Sequence, residues 1–184
     1  MAIPTAVELD RSRIAELTAR EEQRLNESTK QSQQMYQRAM KSLSGGVASS
    51  YQLRDPWPIY LERGAGCNVW DVDGNEMYDF HNGFGSMVQG HANPEIGRAI
   101  RDRYADGTHF AAPTEDAIIV GEELARRWGL PQWRFVNSGS EATMDAIRIA
   151  RAHTGRDTIM KIFGSYHGHH DGVMVSIGVA YDDI

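Results

Sequence analysis

The sequence predicts an α/β fold in which short buried strands alternate with helices. Residues 133–136 form a short apolar run of β-forming residues, followed by a loop of small residues and then by a helical pattern. A second β-forming run follows at residues 158–163. Earlier in the chain, two β-forming runs flank the turn dipeptide Asp73-Gly74, which adds a small antiparallel sheet to the prediction.

The N-terminal region, residues 8–41, is polar, rich in Glu, Gln and Arg, and nearly free of Gly and Pro, which predicts one or two helices. Its apolar residues form a sparse stripe, made of Ile14, Leu17, Leu25, Met35 and Met40. Because so thin a stripe buries little by itself, two interpretations stay open. The segment packs across a surface or a partner subunit, or it is a loosely attached N-terminal helix.

A glycine-containing loop and a small sheet follow. The paired glycines within residues 42–51 end the helical pattern, and residues 59–63 predict a strand. Residues 68–72 and 76–80 predict a hairpin, because the intervening glycine accepts the positive φ that a tight turn needs. Asp71 and Asp73 are interpreted as turn-forming residues of this hairpin rather than as a pair of catalytic acids.

The next stretch is rich in glycine, which predicts an irregular loop that presents Phe84 and the following backbone to a ligand. A helix is predicted from Pro94 to about Tyr104, with Asn93 as its N-cap. His91, just before this helix, is interpreted as a structural residue rather than a ligand.

The second half of the chain places a small-residue loop between a strand and a helix. A helix over residues 114–128 stops at a glycine, and the run at 133–136 leads through Asn-Ser-Gly-Ser into a helix over residues 141–153. Backbone N–H groups of a first helical turn lack intrahelical partners, and the helix dipole favours negative charge there. The loop around Gly139 is therefore either an anion-binding cradle or a plain helix N-cap.

A second loop, Gly-Ser-Tyr-His-Gly at residues 164–168, lies beyond the C-terminal end of the strand predicted at residues 158–163. Ligands of open α/β sheets bind outside such strand ends, so both loops occupy positions suited to a ligand. Residues 173–177 predict one more strand or extended piece, and residues 178–184 predict a loop.

Together, the motifs at residues 137–142 and 164–168 resemble the cofactor site of class III aminotransferases, which use pyridoxal phosphate. Within that class the sequence is most similar to the glutamate-1-semialdehyde aminomutase-like group, over about residues 32–178. The resemblance implies a fold-type-I transferase of the aspartate aminotransferase kind. It also implies a homodimer with sites at the subunit interface, moving an amino group on a small amino or amino-keto acid.

Domains and site residues also follow from the resemblance. Residues 1–41 would form an N-terminal helical segment, residues 42–105 a small antiparallel-sheet region with active-site loops, and residues 106–184 the incomplete start of the large cofactor-binding domain. The cofactor-binding residues would be Ser138, Gly139, Ser140 and Tyr166, with the tyrosine ring stacked on the pyridine ring. Ser49 and Phe84 would contact the substrate.

Two features depart from the family pattern. Gln52 stands where aminomutases carry an arginine for the substrate carboxylate, with Arg54 two positions on, which favours an ω- or β-amino-acid aminotransferase as the alternative. The lysines are Lys30, Lys41 and Lys161, and none has the context of the family's Schiff-base lysine. We therefore predict no catalytic residue here, and expect an N-terminal piece of a larger enzyme that is inactive alone. An alternative of another class is a non-catalytic remnant that binds a phosphorylated ligand or a partner.

A metal site is the alternative interpretation of the cluster His167, His169, His170 and Asp171, since imidazole and carboxylate are good ligands. A complete site needs further well-placed ligands, and Cys67 and His91 are distant in sequence. The Tyr-His-Gly-His context accounts for the cluster without a metal. We expect no metal, and expect His167 to buttress the cofactor.

Composition narrows the remaining function classes. A net charge of −6 without a basic stripe argues against nucleic acid as a partner. No apolar run approaches a membrane span, and the first residues show no signal-peptide pattern. A single cysteine, Cys67, gives no disulfide framework, which suits a reducing compartment. The sequence thus predicts a cytoplasmic protein.

Overall fold

The computed structural model describes residues 10–178. The chain divides into two compact units, with the boundary between Thr108 and His109. The first unit contains helices α1 (Arg11–Ser28), α2 (Lys30–Ala39) and α4 (Pro94–Ala105), strands β1 (Leu61–Ala65), β2 (Asn68–Asp71) and β3 (Glu76–Tyr78), and the four-residue turn α3 (Asn82–Gly85). The second unit contains α5 (Glu115–Trp128) and α6 (Gly139–Thr154).

Helices α1 and α2 are separated by the single residue Thr29. The prediction of one or two helices in this region is confirmed. Residues 8 and 9 of that prediction lie outside the described part. The N-cap of helix α1 is Asp10, whose Oδ1 accepts from Arg13 N at 2.9 Å. No residue of α1 is buried, and Ile14 of the apolar stripe is 48% exposed. Both interpretations of the stripe therefore stay open.

The three strands form an antiparallel sheet in the order β1-β2-β3. Its centre is Val69, which pairs with Met77 and is 7% exposed. The hairpin prediction is confirmed, and β1 begins two residues later than expected. Asp71 Oδ1 accepts from Asp73 N at 3.0 Å and from Asn75 N at 2.7 Å, so Asp71 shapes the turn as predicted.

The tip of this hairpin binds the junction between α1 and α2. Asp73 accepts from the backbone N of Gln31 at 2.6 Å and from that of Ser32 at 2.9 Å, so its carboxylate caps α2. Trp57 Nε1 donates to Thr29 Oγ1 at 3.0 Å. Thr29 and Ser32 are 2% and 0% exposed, so the centre of this contact is polar but hydrogen-bonded.

The helix α4 begins and ends where the sequence predicts, within one residue. Asn93 Oδ1 accepts from Glu95 N at 2.9 Å and Ile96 N at 3.3 Å, and Pro94 occupies the first helical position. In the second unit, α5 and α6 both end at a glycine in the left-handed conformation, Gly129 and Gly155.

The strands predicted at residues 133–136 and 158–163 are not formed, which corrects the sequence prediction for the second unit. Within the described residues of this unit, the strand pairing is limited to one parallel bridge, between Gly164 and Ile177. A strand requires a neighbouring strand to complete its ladder of hydrogen bonds. Without one, the apolar side chains of both runs stay exposed, as with Phe135 at 50% and Phe163 at 64%.

Candidate functional site

The start of α6 is the centre of the candidate site. Ser138 is its N-cap, with Oγ accepting from Glu141 N at 3.2 Å. Glu141 reaches back, and its Oε2 accepts from Asn137 N at 2.6 Å. The plain N-cap interpretation is therefore correct as local geometry, because Ser138 caps the helix and Glu141 accepts from the residue before the cap. The cap uses Ser138 Oγ as an acceptor, which leaves its hydroxyl hydrogen to donate elsewhere.

The cap does not use all the donors of the first turn. Within residues 10–178, no acceptor is hydrogen-bonded to Gly139 N or Ser140 N. Both N–H groups lie at the positive end of the α6 dipole, where an anion is stabilised. A Cβ added at Gly139 would meet no atom within 4 Å, so the space beside this residue is open. The N-cap and anion-cradle interpretations are thus compatible.

The second sequence motif packs directly against this turn. His169 N donates to Ser140 Oγ at 2.8 Å, and Thr143 Oγ1 donates to His167 O at 2.7 Å. Gly168 lies between these contacts with φ +111°, and a Cβ there would come within 2.8 Å of Ser140 Cα. The structure therefore brings together the two motifs that the sequence placed at separate strand ends.

Tyr166 projects from the same loop and is 63% exposed. Its predicted stacking on a pyridine ring stays a prediction. His170 contacts Thr143, with Nε2 3.3 Å from Oγ1, while the ring of His167 is exposed. Among the described residues, no three His, Cys, Asp or Glu side chains are grouped as metal ligands.

In the first unit, the loops of Ser49 and Phe84 contact each other. Ser49 and Gln52 form a capping box around a short 3₁₀ turn, in which Gln52 Oε1 accepts from Ser49 N at 3.2 Å. The Tyr51 ring, between these two, meets the Phe84 ring edge-on at 5.2 Å between centroids. Phe84 is 72% exposed. The two residues predicted to contact substrate thus lie on adjoining loops.

Arg54 is engaged in its own loop. Its Nη1 donates to Tyr51 O at 2.9 Å and to Leu53 O at 2.6 Å. Gln52, at the expected arginine position, is hydrogen-bonded to the backbone in the capping box. Both Gln52 and Arg54 are therefore bonded to local backbone groups. Neither is arranged in this structure as a clamp for a carboxylate.

Sequence reasoning missed the conformation of the turn α3. Its residues Asn82, Gly83, Phe84 and Gly85 have φ of +51°, +54°, +55° and +88°, so the chain turns in the left-handed sense. The left-handed conformation costs a non-glycine residue roughly 1–2 kcal/mol, and such strain concentrates at functional sites. In the sequence, Gly83 and Gly85 indicate that positive φ angles occur in this turn. They do not indicate that Asn82 and Phe84 also adopt positive φ.

Sequence reasoning also missed the role of Asp79, which precedes turn α3. Hydrogen bonds from the backbone of Asn82 and from the His91 ring hold the pKa of Asp79 below its ordinary value. Asp79 Oδ2 lies 2.7 Å from His91 Nε2, which supports the structural role predicted for His91. An aspartate two or three residues before a turn is a recognisable signal for this kind of backbone capping.

Comparison with known proteins identifies the family. Residues 50–180 match the family model described as Aminotransferase class-III. The chain belongs to the class III aminotransferases. It is 40% identical over 149 residues to glutamate-1-semialdehyde 2,1-aminomutase of Methanopyrus kandleri, an alignment that covers 80% of this chain and 35% of that protein. The chain thus spans about a third of the length of this relative.

Solved structures of such enzymes have the same fold over most of the chain. An omega-transaminase from Sphaerobacter thermophilus matches with a TM-score of 0.76 and 43% identity, over 79% of this chain and 33% of that one. A glutamate-1-semialdehyde-aminomutase from Pseudomonas aeruginosa PAO1, in complex with PMP, matches with a TM-score of 0.81 and 33% identity, over 88% of this chain and 36% of that one. The fold-type-I prediction is confirmed by these neighbours. Among the helices of residues 10–178, none has both the length and the apolar character to cross a bilayer.

Proposed function

We propose that this class III aminotransferase chain supplies the phosphate end of a pyridoxal phosphate site. The whole protein would move an amino group on a small amino or amino-keto acid, as a glutamate-1-semialdehyde aminomutase does. The observation that carries the proposal is the first turn of α6, where Gly139 N and Ser140 N have no acceptor among the described residues. The second family motif closes on this turn through the bond from His169 N to Ser140 Oγ.

The residues present fit a phosphate group. Two backbone N–H groups and the hydroxyl of Ser138 can donate to phosphate oxygens, and the α6 dipole stabilises their charge. Gly168 allows the second loop to approach Ser140 closely, which holds that loop against the first turn of α6. The exposed Tyr166 ring would take the apolar face of the cofactor ring. When bound, the cofactor ring withdraws electrons from the carbon that carries the amino group.

Ser49 and Phe84 are the residues proposed to contact the substrate. Ser49 and Phe84 lie on adjoining loops, with Tyr51 in contact with Phe84. An exposed aromatic ring and a hydroxyl are suited to an apolar and a polar part of a small substrate, respectively. The division into segments 1–41, 42–105 and 106–184 remains part of this proposal. So do the homodimer and the cytoplasmic location.

We propose that none of the three lysines, Lys30, Lys41 and Lys161, provides the covalent attachment that the family chemistry needs. Lys161 Nζ donates to the backbone carbonyl of Val175, and Lys30 is the first residue of α2. We therefore expect the isolated 184-residue chain to have no transaminase activity. An active preparation of the isolated chain would refute this expectation.

The test uses the natural gene product that carries this sequence. Its absorbance is recorded before and after borohydride, together with the intact mass. A band near the visible edge that borohydride fixes as a pyridoxyl-lysine adduct supports the proposal, and peptide mapping is expected to place the lysine outside residues 1–184. An adduct-free protein with no such band overturns it.

The phosphate contact needs a separate measurement. Pyridoxal phosphate and unphosphorylated pyridoxal are titrated into the wild type and Ser138→Ala. The variant is expected to lose affinity several-fold for the phosphorylated form only. Thr114→Ala, at the N-cap of α5, is the matched control because its side chain makes no cap hydrogen bond. Equal loss for both ligands would show that Ser138 does not contact the phosphate.

A second candidate is an ω- or β-amino-acid aminotransferase. It is favoured by the local hydrogen bonds of Gln52 and Arg54, which leave no carboxylate clamp on that loop. Half-reactions of the gene product with glutamate-1-semialdehyde and with a β-amino acid separate the two candidates. A faster half-reaction with the β-amino acid would make it the better assignment.

A non-catalytic remnant that binds a phosphorylated ligand is the third candidate. It is favoured by a phosphate cradle that is formed without a suitable lysine. A natural stop codon after Ile184 would support it, and a reading frame that continues would exclude it.

A further inference from the structure

Asp79 connects turn α3 to His91. Its Oδ1 accepts from His81 N at 2.9 Å and from Asn82 N at 2.8 Å, the two amides at the start of turn α3. Its Oδ2 lies 2.7 Å from His91 Nε2. The side chains of Asp79 and His91 are only 13% and 25% exposed, so this pair is shielded from most of the solvent. One carboxylate thus ties the turn to His91.

His91 is itself fixed to the sheet. Its backbone N donates to Gly66 O at 2.8 Å, and Gly66 N donates to its carbonyl at 2.9 Å. The imidazole packs over Gly64, where an added Cβ would come within 2.5 Å of the ring. Backbone and ring are therefore both held, and His91 anchors Asp79 to β1.

The turn that Asp79 holds is unfavourable by itself. Asn82 and Phe84 have positive φ, which side-chain-bearing residues adopt only when their surroundings impose it. The Phe84 ring is placed edge-on to the ring of His81, with centroids 4.1 Å apart, and to that of Tyr51. Because His81 N is bonded to Asp79, the carboxylate fixes both the turn and one ring that contacts Phe84.

We propose that Asp79, anchored by His91, is a positioning residue that holds Phe84 in its left-handed, outward-facing conformation for contact with substrate. The proposal has two parts. The first, that Asp79 fixes the conformation of Phe84, is tested without any reaction. The second, that Phe84 contacts substrate, rests on the proposed function.

The experiment is fluorine NMR of the natural gene product labelled with 4-fluorophenylalanine. The Phe84 resonance is the one that Phe84→Leu removes, and the Phe110 resonance, from the second unit, is assigned in the same way by Phe110→Leu. In Asp79→Ala, the Phe84 resonance is expected to lose more than half of its shift from the urea-unfolded value. Asp79→Asn keeps an oxygen acceptor for the two amides and is expected to retain most of that shift.

The controls separate positioning from general damage. The Phe110 resonance is expected to stay in place in both variants, and His91→Gln is expected to move the Phe84 resonance less than Asp79→Ala does. A Phe84 resonance unmoved in Asp79→Ala overturns the proposal. So does equal movement of the Phe84 and Phe110 resonances, because it shows a loss of structure that is not specific to the turn.

Kinetics of the same variants test the contact with substrate. Asp79→Ala is expected to raise KM about as much as Phe84→Ala does, with kcat less affected, and Asp79→Asn to restore KM. If KM is unchanged while the resonance moves, Asp79 does not act on substrate through Phe84. If the wild type shows no transamination, the proposed function fails, whereas the resonance still decides whether Asp79 positions Phe84.

Discussion

Asp73 Oδ2 accepts two hydrogen bonds from Ser32, from N at 2.9 Å and from Oγ at 2.8 Å, across 41 residues of sequence. Thr29 occupies the N-cap position of α2, but its hydroxyl donates to Leu25 O instead of capping the helix. Asp73, at the tip of the β-hairpin, thus caps α2 in place of a side chain at the N-cap position. Since Asp73 N also donates to Asp71 Oδ1 within the turn, the hairpin tip and the helix junction are joined through one residue.

Asp73→Ala is expected to destabilise α2. Loss of an N-cap acceptor costs about 1–2 kcal/mol, and such a change raises the population of opened states about 5- to 30-fold. Amide hydrogen exchange of Gln31 and Ser32 measures this directly. The control is Asp102→Ala, on an exposed position of α4, which is expected to leave those rates unchanged. Similar rates in the wild type and Asp73→Ala would show that the cap is not needed.

The same carboxylate predicts a pH dependence. Burial acts to raise the pKa of Asp73, but hydrogen bonds from Gln31 and Ser32 outweigh it and leave the pKa below the ordinary value of 3.8. A group with a lowered pKa in the folded state stabilises that state fully above its unfolded pKa, and loses this contribution as pH falls through the folded pKa. Protection of the Gln31 and Ser32 amides is therefore expected to fall below about pH 4.

Asp73→Asn is the control for this pH dependence, because it keeps an oxygen acceptor but cannot titrate there. In Asp73→Asn, the Gln31 and Ser32 amides are expected to be less protected from exchange at neutral pH than in the wild type. Their protection is also expected to change less as the pH falls into the acid range. If the protection of these amides falls with pH in the same way in the wild type and in Asp73→Asn, the pH dependence belongs to another group.

The features predicted correctly from sequence depend on neighbouring residues. Asn93-Pro94 begins α4, Gly129 ends α5, and Asp73-Gly74 turns the hairpin, because caps and turns are determined within a few residues. The position of Ser138 at the start of α6 follows from the same local rules. These features could be predicted because the interactions that form them are short in sequence.

The failures at the predicted strands, at the cap of α2 and at the contact between the two site motifs involve residues that are distant in sequence. The runs at residues 133–136 and 158–163 have β-forming composition, but a strand forms only against a partner, and composition does not show whether one is present. The cap of α2 by Asp73 and the bond from His169 N to Ser140 Oγ join residues 41 and 29 positions apart, respectively. The positive φ of Phe84 is imposed by its surroundings.

Tyr166 provides a test of the predicted cofactor face. The ring is 63% exposed and has an apolar face available for stacking. Aromatic pairs contribute about 0.5–1.5 kcal/mol beyond their buried area. Tyr166→Ala in the natural gene product is therefore expected to weaken pyridoxal phosphate binding about 2- to 10-fold, measured by absorbance titration. Tyr166→Phe keeps the ring and is expected to bind as the wild type does; equal loss in both variants would assign the effect to the hydroxyl.

Gly168 is the residue on which the contact between the two motifs depends. Its φ of +111° is a backbone conformation that other residues rarely adopt, and a Cβ would come within 2.8 Å of Ser140 Cα and 2.9 Å of Ser140 Oγ. Gly168→Ala must therefore move the loop away from α6 or strain the backbone, and either change disturbs the bond from His169 N to Ser140 Oγ. We expect pyridoxal phosphate binding by the natural gene product to weaken at least ten-fold. Gly121→Ala is the control, since a Cβ added there meets no atom within 4 Å; wild-type affinity in Gly168→Ala would show that the two motifs need not touch to form the phosphate site.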